Sequence, residues 1–241
     1  MRLAVSPVIA VTCAAILIPC RGGVTAQGLG PSHISVHVSN IANDVYRRDR
    51  ARYELTSSGE GFSLPDTPFQ KVIAARAGSG GVTVTLESGK RDRTAHERPG
   101  PGDLADTPLL MIRSPEIKNA AARLKDGART ADNVQRFVYR HITNKMLGIP
   151  LVSALHVFRG KSGDCTEHTV LAVALLRAAG VPARAMVGML LEPLFAGREN
   201  VFVYHMWAQA YVGGEWVIVD ATRTESVSAG RYVAFAHHSL R

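Results

Sequence analysis

The stretch Gly160-Lys161-Ser162-Gly163-Asp164-Cys165-Thr166-Glu167-His168-Thr169-Val170-Leu171-Ala172-Val173-Ala174-Leu175-Leu176-Arg177-Ala178-Ala179-Gly180-Val181-Pro182 decides the fold. Its first five residues are turn material. Beyond them Val170, Leu171, Ala174, Leu175 and Ala178 follow helical spacing, and Gly180 and Pro182 end the element in the usual order. The helix is apolar on several sides, which predicts a central, buried position. Cys165 stands at its N-terminus. There the unpaired amides and the helix dipole favour a thiolate, and the same amides can stabilise an oxyanion formed by attack on a carbonyl. The competing reading is a packed, inert cysteine. The polar neighbours Asp164, Thr166, Glu167 and His168 argue against it. Asp164 can cap the helix. Glu167 reads as a helix-start acid or a local partner for a strand residue.

A thiol nucleophile needs a base, and the base needs an orienting acceptor. Residues 201–212 (VFVYHMWAQAYV) read as a long strand that carries His205. Gly213-Gly214 is a tight hairpin turn, and 215–220 (EWVIVD) is the return strand. An ideal register about that turn sets residue 207 opposite 220, which makes His205 a diagonal neighbour of Asp220. Asp220 can then accept from one imidazole nitrogen while the other faces Cys165. A purely structural histidine in a strand is common, and the cross-hairpin acid together with the helix-start cysteine favours the functional reading. Trp207 shares a face with His205 and can shield the pair from water, or can serve simply as a core residue.

His168 lies three residues after Cys165 on nearly the same helix face, so it is a rival base or a metal ligand. Cys165, His168 and His205 can in principle supply three zinc ligands, but no fourth is evident. His141, His156, His237 and His238 carry no spacing signal and read as structural or surface residues.

Working outward, residues 34–38, 50–56, 69–75 and 82–88 alternate as strands should, and 89–104 with its PGPG at 99–102 is a linker. Ser114-Pro115-Glu116 is a helix start, with a stop expected at Gly127. Asp132 is expected to cap a second helix with Val134, Phe137, Val138, His141 and Ile142 on one face. Residues 149–158 suggest a helical turn before the cysteine, and 190–200 a Pro- and Gly-containing loop.

Arg2, the apolar run 3–18 and the small residues Val24-Thr25-Ala26 read as a secretory signal over 1–26; an uncleaved membrane anchor is the alternative. Removing it takes Cys13 and Cys20 and leaves Cys165 as the only cysteine, so the mature chain forms no internal disulfide. The expected organisation is therefore a signal peptide over 1–26, a small β-rich N-terminal region with linker over 27–104, and a catalytic domain over 105–241. The 241 residues are 46% hydrophobic and 20% charged, which excludes a disordered or collagen-like chain. The net charge of +8 is scattered apart from Arg47-Arg48-Asp49-Arg50-Ala51-Arg52, which argues against a nucleic-acid partner for an exported chain.

Three separated motifs resemble the core of the bacterial transglutaminase-like superfamily. They are Gly163-Asp164-Cys165-Thr166-Glu167-His168 with 175–184 (LLRAAGVPAR), His205-Met206-Trp207, and Trp216-Val217-Ile218-Val219-Asp220-Ala221-Thr222. The resemblance spans roughly 110–236. It implies an α+β, papain-like fold in which the Cys-bearing helix packs on an antiparallel sheet, preceded by the small mostly-β region. Cys165 matches the nucleophile, His205 the base and Asp220 the orienting acid. Met206 stands where a small residue is usual, Ala221 where Pro often follows the acid, and Gln209 where the base strand is frequently acidic.

What the resemblance implies for function is acyl transfer from an amide through a Cys165 thioester, without metal or other cofactor. The expected protein is a periplasmic or secreted cysteine peptidase or amidase acting on a protein or peptide of the cell envelope. A protein-glutamine amine transferase that crosslinks, and a catalytically silent envelope scaffold, are the alternatives. Membrane association is expected only if the N-terminal segment stays uncleaved.

Overall fold

The computed structural model describes residues 9–13, 35–42, 44–58, 62–79, 81–91, 97–146 and 151–240. Of the expected signal peptide, only Ile9–Cys13 falls among the described residues; the rest lies outside them. The strands are β1 (Ile9–Cys13), β2 (Ser35–His37), β3 (Arg50–Ser57), β4 (Gln70–Gly78) and β5 (Gly81–Gly89). The helices α1 (Pro115–Leu124) and α2 (Thr130–His141) follow. Next come β6 (Asn144–Lys145), α3 (Ala154–Gly160), β7 (Ser162–Gly163) and α4 (Cys165–Ala178). The chain closes with β8 (Ala183–Phe195), β9 (Arg198–Val212), β10 (Glu215–Val219) and β11 (Tyr232–His238). The fold is α+β, with the Cys-bearing helix packed on antiparallel sheet after a mostly-β N-terminal region.

The chain divides into two compact units that do not follow chain order. One holds residues 1–92, 188–204 and 228–236; the other holds 93–187, 205–227 and 237–241.

In the first unit the strand order is β1-β3-β5-β4, with β1 parallel to β3 and the remaining pairs antiparallel. Alternation decides which side chains face inward: Ala51, Tyr53 and Leu55 of β3 are buried together with Leu86 of β5. Tyr53 meets Phe202 edge-on at 5.1 Å and donates its hydroxyl to the Gly230 carbonyl at 2.6 Å. A buried phenol needs such an acceptor.

The second unit is built around α4, whose residues from Glu167 to Arg177 are all buried. Helices α1, α2 and α3 cover it with Ile117, Ala120, Val134, Val138 and Val157, and the sheet does so with Ala183, Ala185, Ala208, Ala210 and Val219. Small alanines on the strands let a helix carrying Leu171, Leu175 and Leu176 come close. Each buried leucine stabilises the fold by about 2 kcal/mol. Pro115 takes the first position of α1, as the sequence predicts, while Ser114 precedes it in extended conformation but makes no side-chain cap hydrogen bond.

Two local expectations need correction. Helix α2 starts at Thr130 rather than after Asp132. A 3-10 turn at Gly127–Arg129 leads into it, and the Thr130 hydroxyl donates to the Gly127 carbonyl and accepts from the Asp126 amide, each at 2.9 Å. The expected loop at 190–200 is instead mostly strand. Strand β8 runs to Phe195 and β9 begins at Arg198, leaving Ala196 and Gly197, both at positive φ, as the turn.

Candidate active site

The start of α4 explains its sequence residue by residue. Asp164 is the N-cap: its Oδ1 accepts from the Thr166 amide at 2.9 Å. Glu167 returns the bond, its Oε2 accepting from the Asp164 amide at 3.0 Å. Together they form a capping box that consumes the first-turn amides next to Cys165. Glu167 is buried at this point, and desolvation pushes its carboxyl up to about 7. Gly163 is required beneath it. A Cβ at that position would stand 2.3 Å from Glu167 Cβ. Cys165 itself is a free thiol, partly accessible at the mouth of the helix.

The hairpin of β9 and β10 supplies the other groups. Gly213 and Gly214 sit at φ 63° and 86°, the left-handed region that a two-residue hairpin turn demands. They set the register Glu215↔Val212 through Val219↔Ala208, which carries Asp220 to the position opposite Trp207. His205 is its diagonal neighbour, and His205 Nε2 donates to Asp220 Oδ2 at 3.0 Å. The Cys165 side chain lies close enough to His205 to raise the proton affinity of the imidazole. Since Nε2 is engaged by the carboxylate, Nδ1 is the nitrogen left for the sulfur.

Asp220 is fully buried and fully used. Its Oδ1 accepts from the Thr222 hydroxyl at 2.6 Å and the Thr222 amide at 3.2 Å, and Oδ2 also accepts from Arg223 Nε at 3.2 Å. Burial alone would raise this carboxyl, but His205, Arg223 and Thr222 hold it well below the usual carboxylate range. Burial alone would likewise lower His205. The charge of Asp220, the hydrogen bond to it and the neighbouring Cys165 outweigh that and raise the imidazole to about 10. The imidazole is therefore poised as an imidazolium between two acids. Trp207 is buried and stacks on His205, with centroids 6.1 Å apart and planes at 17°.

The remaining predicted residues fall into separate roles. His168 does not join the Cys165–His205 pair. Its Nδ1 donates to the Asp164 carbonyl at 2.6 Å, its Nε2 faces Lys145 Nζ at 3.1 Å, and burial pulls it down to about 4. Among the described residues no group of three or more His, Cys, Asp or Glu side chains is placed to hold a metal ion. Gln209 is buried with its Oε1 accepting from Arg184 Nε at 3.1 Å. Arg184 also donates to Glu97 Oε2 and His237 Nδ1, both at 2.8 Å, and lies over the Trp216 ring at 4.2 Å. Sequence reasoning did not single out Arg223, Lys145 or this arginine cluster. Only Arg223, three residues past the acid, carried a local signal.

Residues 116–221 match the family model described as the transglutaminase-like superfamily. No curated protein matches the sequence. A Cytophaga hutchinsonii structure described as a candidate cysteine protease aligns over 81% of this chain and 78% of its own, at 16% identity and a TM-score of 0.50. The periplasmic domain of TgpA from Pseudomonas aeruginosa, bound to ethylmercury, aligns over 75% and 74%, at 18% identity and a TM-score of 0.49. At 16% identity the likeness to the first is one of fold. No helix among the described residues is long and apolar enough to cross a membrane.

Proposed function

We propose that the chain is a member of the transglutaminase-like superfamily, whose family model residues 116–221 match, and that it is an exported thiol-dependent acyl-transfer enzyme, a cysteine peptidase or amidase. In this reading Cys165 is the nucleophile, His205 the acid and base, and Asp220 the residue that orients and charges the imidazole. The observation that carries it is the hydrogen bond from His205 Nε2 to the Asp220 carboxylate at 3.0 Å, with Cys165 close enough to the imidazole to raise its proton affinity.

The thiolate attacks the carbonyl carbon of a peptide or side-chain amide. The oxyanion is received at the helix mouth, where the capping box takes the Thr166 and Glu167 amides and leaves that of Cys165. The His205 imidazolium protonates the departing amine, and a thioester to Cys165 remains. Neutral His205 then takes a proton from water, whose oxygen attacks the thioester and releases the acid. Trp207 covers one face of the imidazole and limits its contact with solvent.

The domain assignment goes with the function: 105–241 as the catalytic domain, 27–104 as an N-terminal β-rich region, and 1–26 as a cleaved leader that delivers the protein to the periplasm or exterior. The substrate class is a protein or peptide of the cell envelope. Mass spectrometry of the intact protein, after exposure to envelope peptides and crosslinked wall fragments, tests this directly. An acyl adduct on Cys165 that water discharges supports the peptidase reading. Discharge only by added amines would make the protein a crosslinking transferase, and absence of any adduct would favour a scaffold.

A further inference from the structure

One cation beside the cysteine helix has no role in the chemistry above. Lys145 is carried by the short strand β6, which pairs in parallel with β7 so that Lys145 aligns with Gly163, two residues before Cys165. Its ammonium is held from two sides: Nζ lies 3.1 Å from His168 Nε2 and 4.2 Å from the centre of the Tyr139 ring.

Both holders are neutral. The Asp164 carbonyl can only accept, so His168 Nδ1 carries the proton and Nε2 presents a lone pair to the ammonium. Burial keeps this histidine uncharged across the physiological range. Tyr139 offers its ring face. Among the described residues no carboxylate lies within ion-pairing distance of Lys145. The two acids nearest in sequence to Cys165 bond to amides of the cap, Asp164 to Thr166 and Glu167 to Asp164.

Lysine side chains at protein surfaces lose considerable rotamer entropy when fixed. Here a buried histidine and an aromatic face fix one without neutralising it, and its outer side is exposed to solvent. The result is a pre-positioned, uncompensated positive charge beside the first turn of α4, where the helix dipole favours an anion as well.

We propose that Lys145 is a specificity residue that binds a carboxylate of the acyl donor next to the scissile amide, so that the enzyme selects anionic substrates. This rests on the acyl-transfer reading of Cys165. The carboxylate can be a chain terminus or an acidic side chain; both present the same two oxygens to the ammonium.

Matched alkylating reagents separate these sources. The first pair is bromoacetyl-glycine and bromoacetyl-glycinamide. The second is the α-amides of bromoacetyl-glutamic acid and bromoacetyl-glutamine. Second-order rates of Cys165 modification are measured for wild type, Lys145→Met and Lys145→Arg. The wild type should prefer the anion over its neutral twin by about tenfold in at least one pair. Lys145→Met should abolish that preference, leaving the neutral rate within about twofold, and Lys145→Arg should keep most of it. The pair that shows the preference identifies the source. Anion preferences that survive Lys145→Met in both pairs would overturn the proposal. So would equal losses for anionic and neutral reagents, which would make Lys145 a support for the sulfur rather than a substrate contact. Failure of the acyl-transfer reading looks different: neutral reagents would then modify wild type and His205→Ala equally slowly.

Discussion

His205 and Asp220 are diagonal neighbours across the β9–β10 hairpin, and their facing atoms, Nε2 and Oδ2, stand 3.0 Å apart. The relation is set by two glycines at the turn and not by long-range packing. It gives the imidazole a fixed orientation and a raised proton affinity together. Removing the charge while keeping the shape isolates the second effect. Asp220→Asn should lower turnover by about a hundred- to ten-thousand-fold, by analogy with the same change in other triads. The alkaline limb of the rate profile should fall at about 10 in wild type, where His205 loses the proton that the proposed mechanism passes to the leaving amine. In Asp220→Asn that limb should move down by several pH units. Turnover of the peptide found to acylate Cys165, followed from pH 5 to 11, measures both.

Two buried groups at the start of α4 push stability in opposite directions as pH changes. His168 drops from about 6.5 to about 4 on folding, so as pH falls through that window the unfolded chain takes up a proton first and stability is lost. Glu167 rises from 4.5 to about 7, so the folded state keeps its proton longer and stability is lost as pH rises through that window. Each shift corresponds to about 3 kcal/mol at most. Relative to wild type, His168→Gln should gain as pH falls from 6.5 to 4, and Glu167→Gln should gain as pH rises from 4.5 to 7. Urea unfolding at stepped pH reads both slopes.

Gly163 leaves no room for a side chain, because its Cβ would stand 2.3 Å from Glu167 Cβ. Gly163→Ala should therefore displace Glu167, open the capping box and destabilise the protein by about 1–3 kcal/mol. The displaced cap should also slow alkylation of Cys165. Thermal melting and a thiol-labelling rate check the two effects separately.

The buried Arg184 ties Gln209, Glu97 and His237 together and covers Trp216. Arg184→Ala leaves the buried Gln209 oxygen without this donor and should cost about 2–4 kcal/mol in urea unfolding. It touches neither Cys165 nor His205, so the labelling rate under native conditions should change little.

Much of this was readable from local signals. Asp164, Cys165 and Glu167 announce a helix start at fixed offsets, and Gly213-Gly214 fixes a register by counting. The helix pattern of 170–178 is strong because the element is buried on nearly every side. What was not readable depended on partners far away in the chain. Pro193 and Gly197 suggest a loop, yet strand pairing carries β8 to Phe195 and β9 back from Arg198. The Lys145–His168 contact joins residues 23 apart through a strand of two residues, too short for periodicity to mark. Asp132 looked like a cap because aspartate often is one, but a 3-10 turn and the hydroxyl of Thr130 start the helix earlier.

The most direct test of the central claim is the rate of Cys165 alkylation by iodoacetamide at pH 7 in wild type and in His205→Ala, with both variants shown to be folded. The account predicts a wild-type rate well above that of a free cysteine, and a fall of about tenfold or more on loss of the imidazole. Equal rates in the two proteins, both at the level of an ordinary thiol, would contradict it.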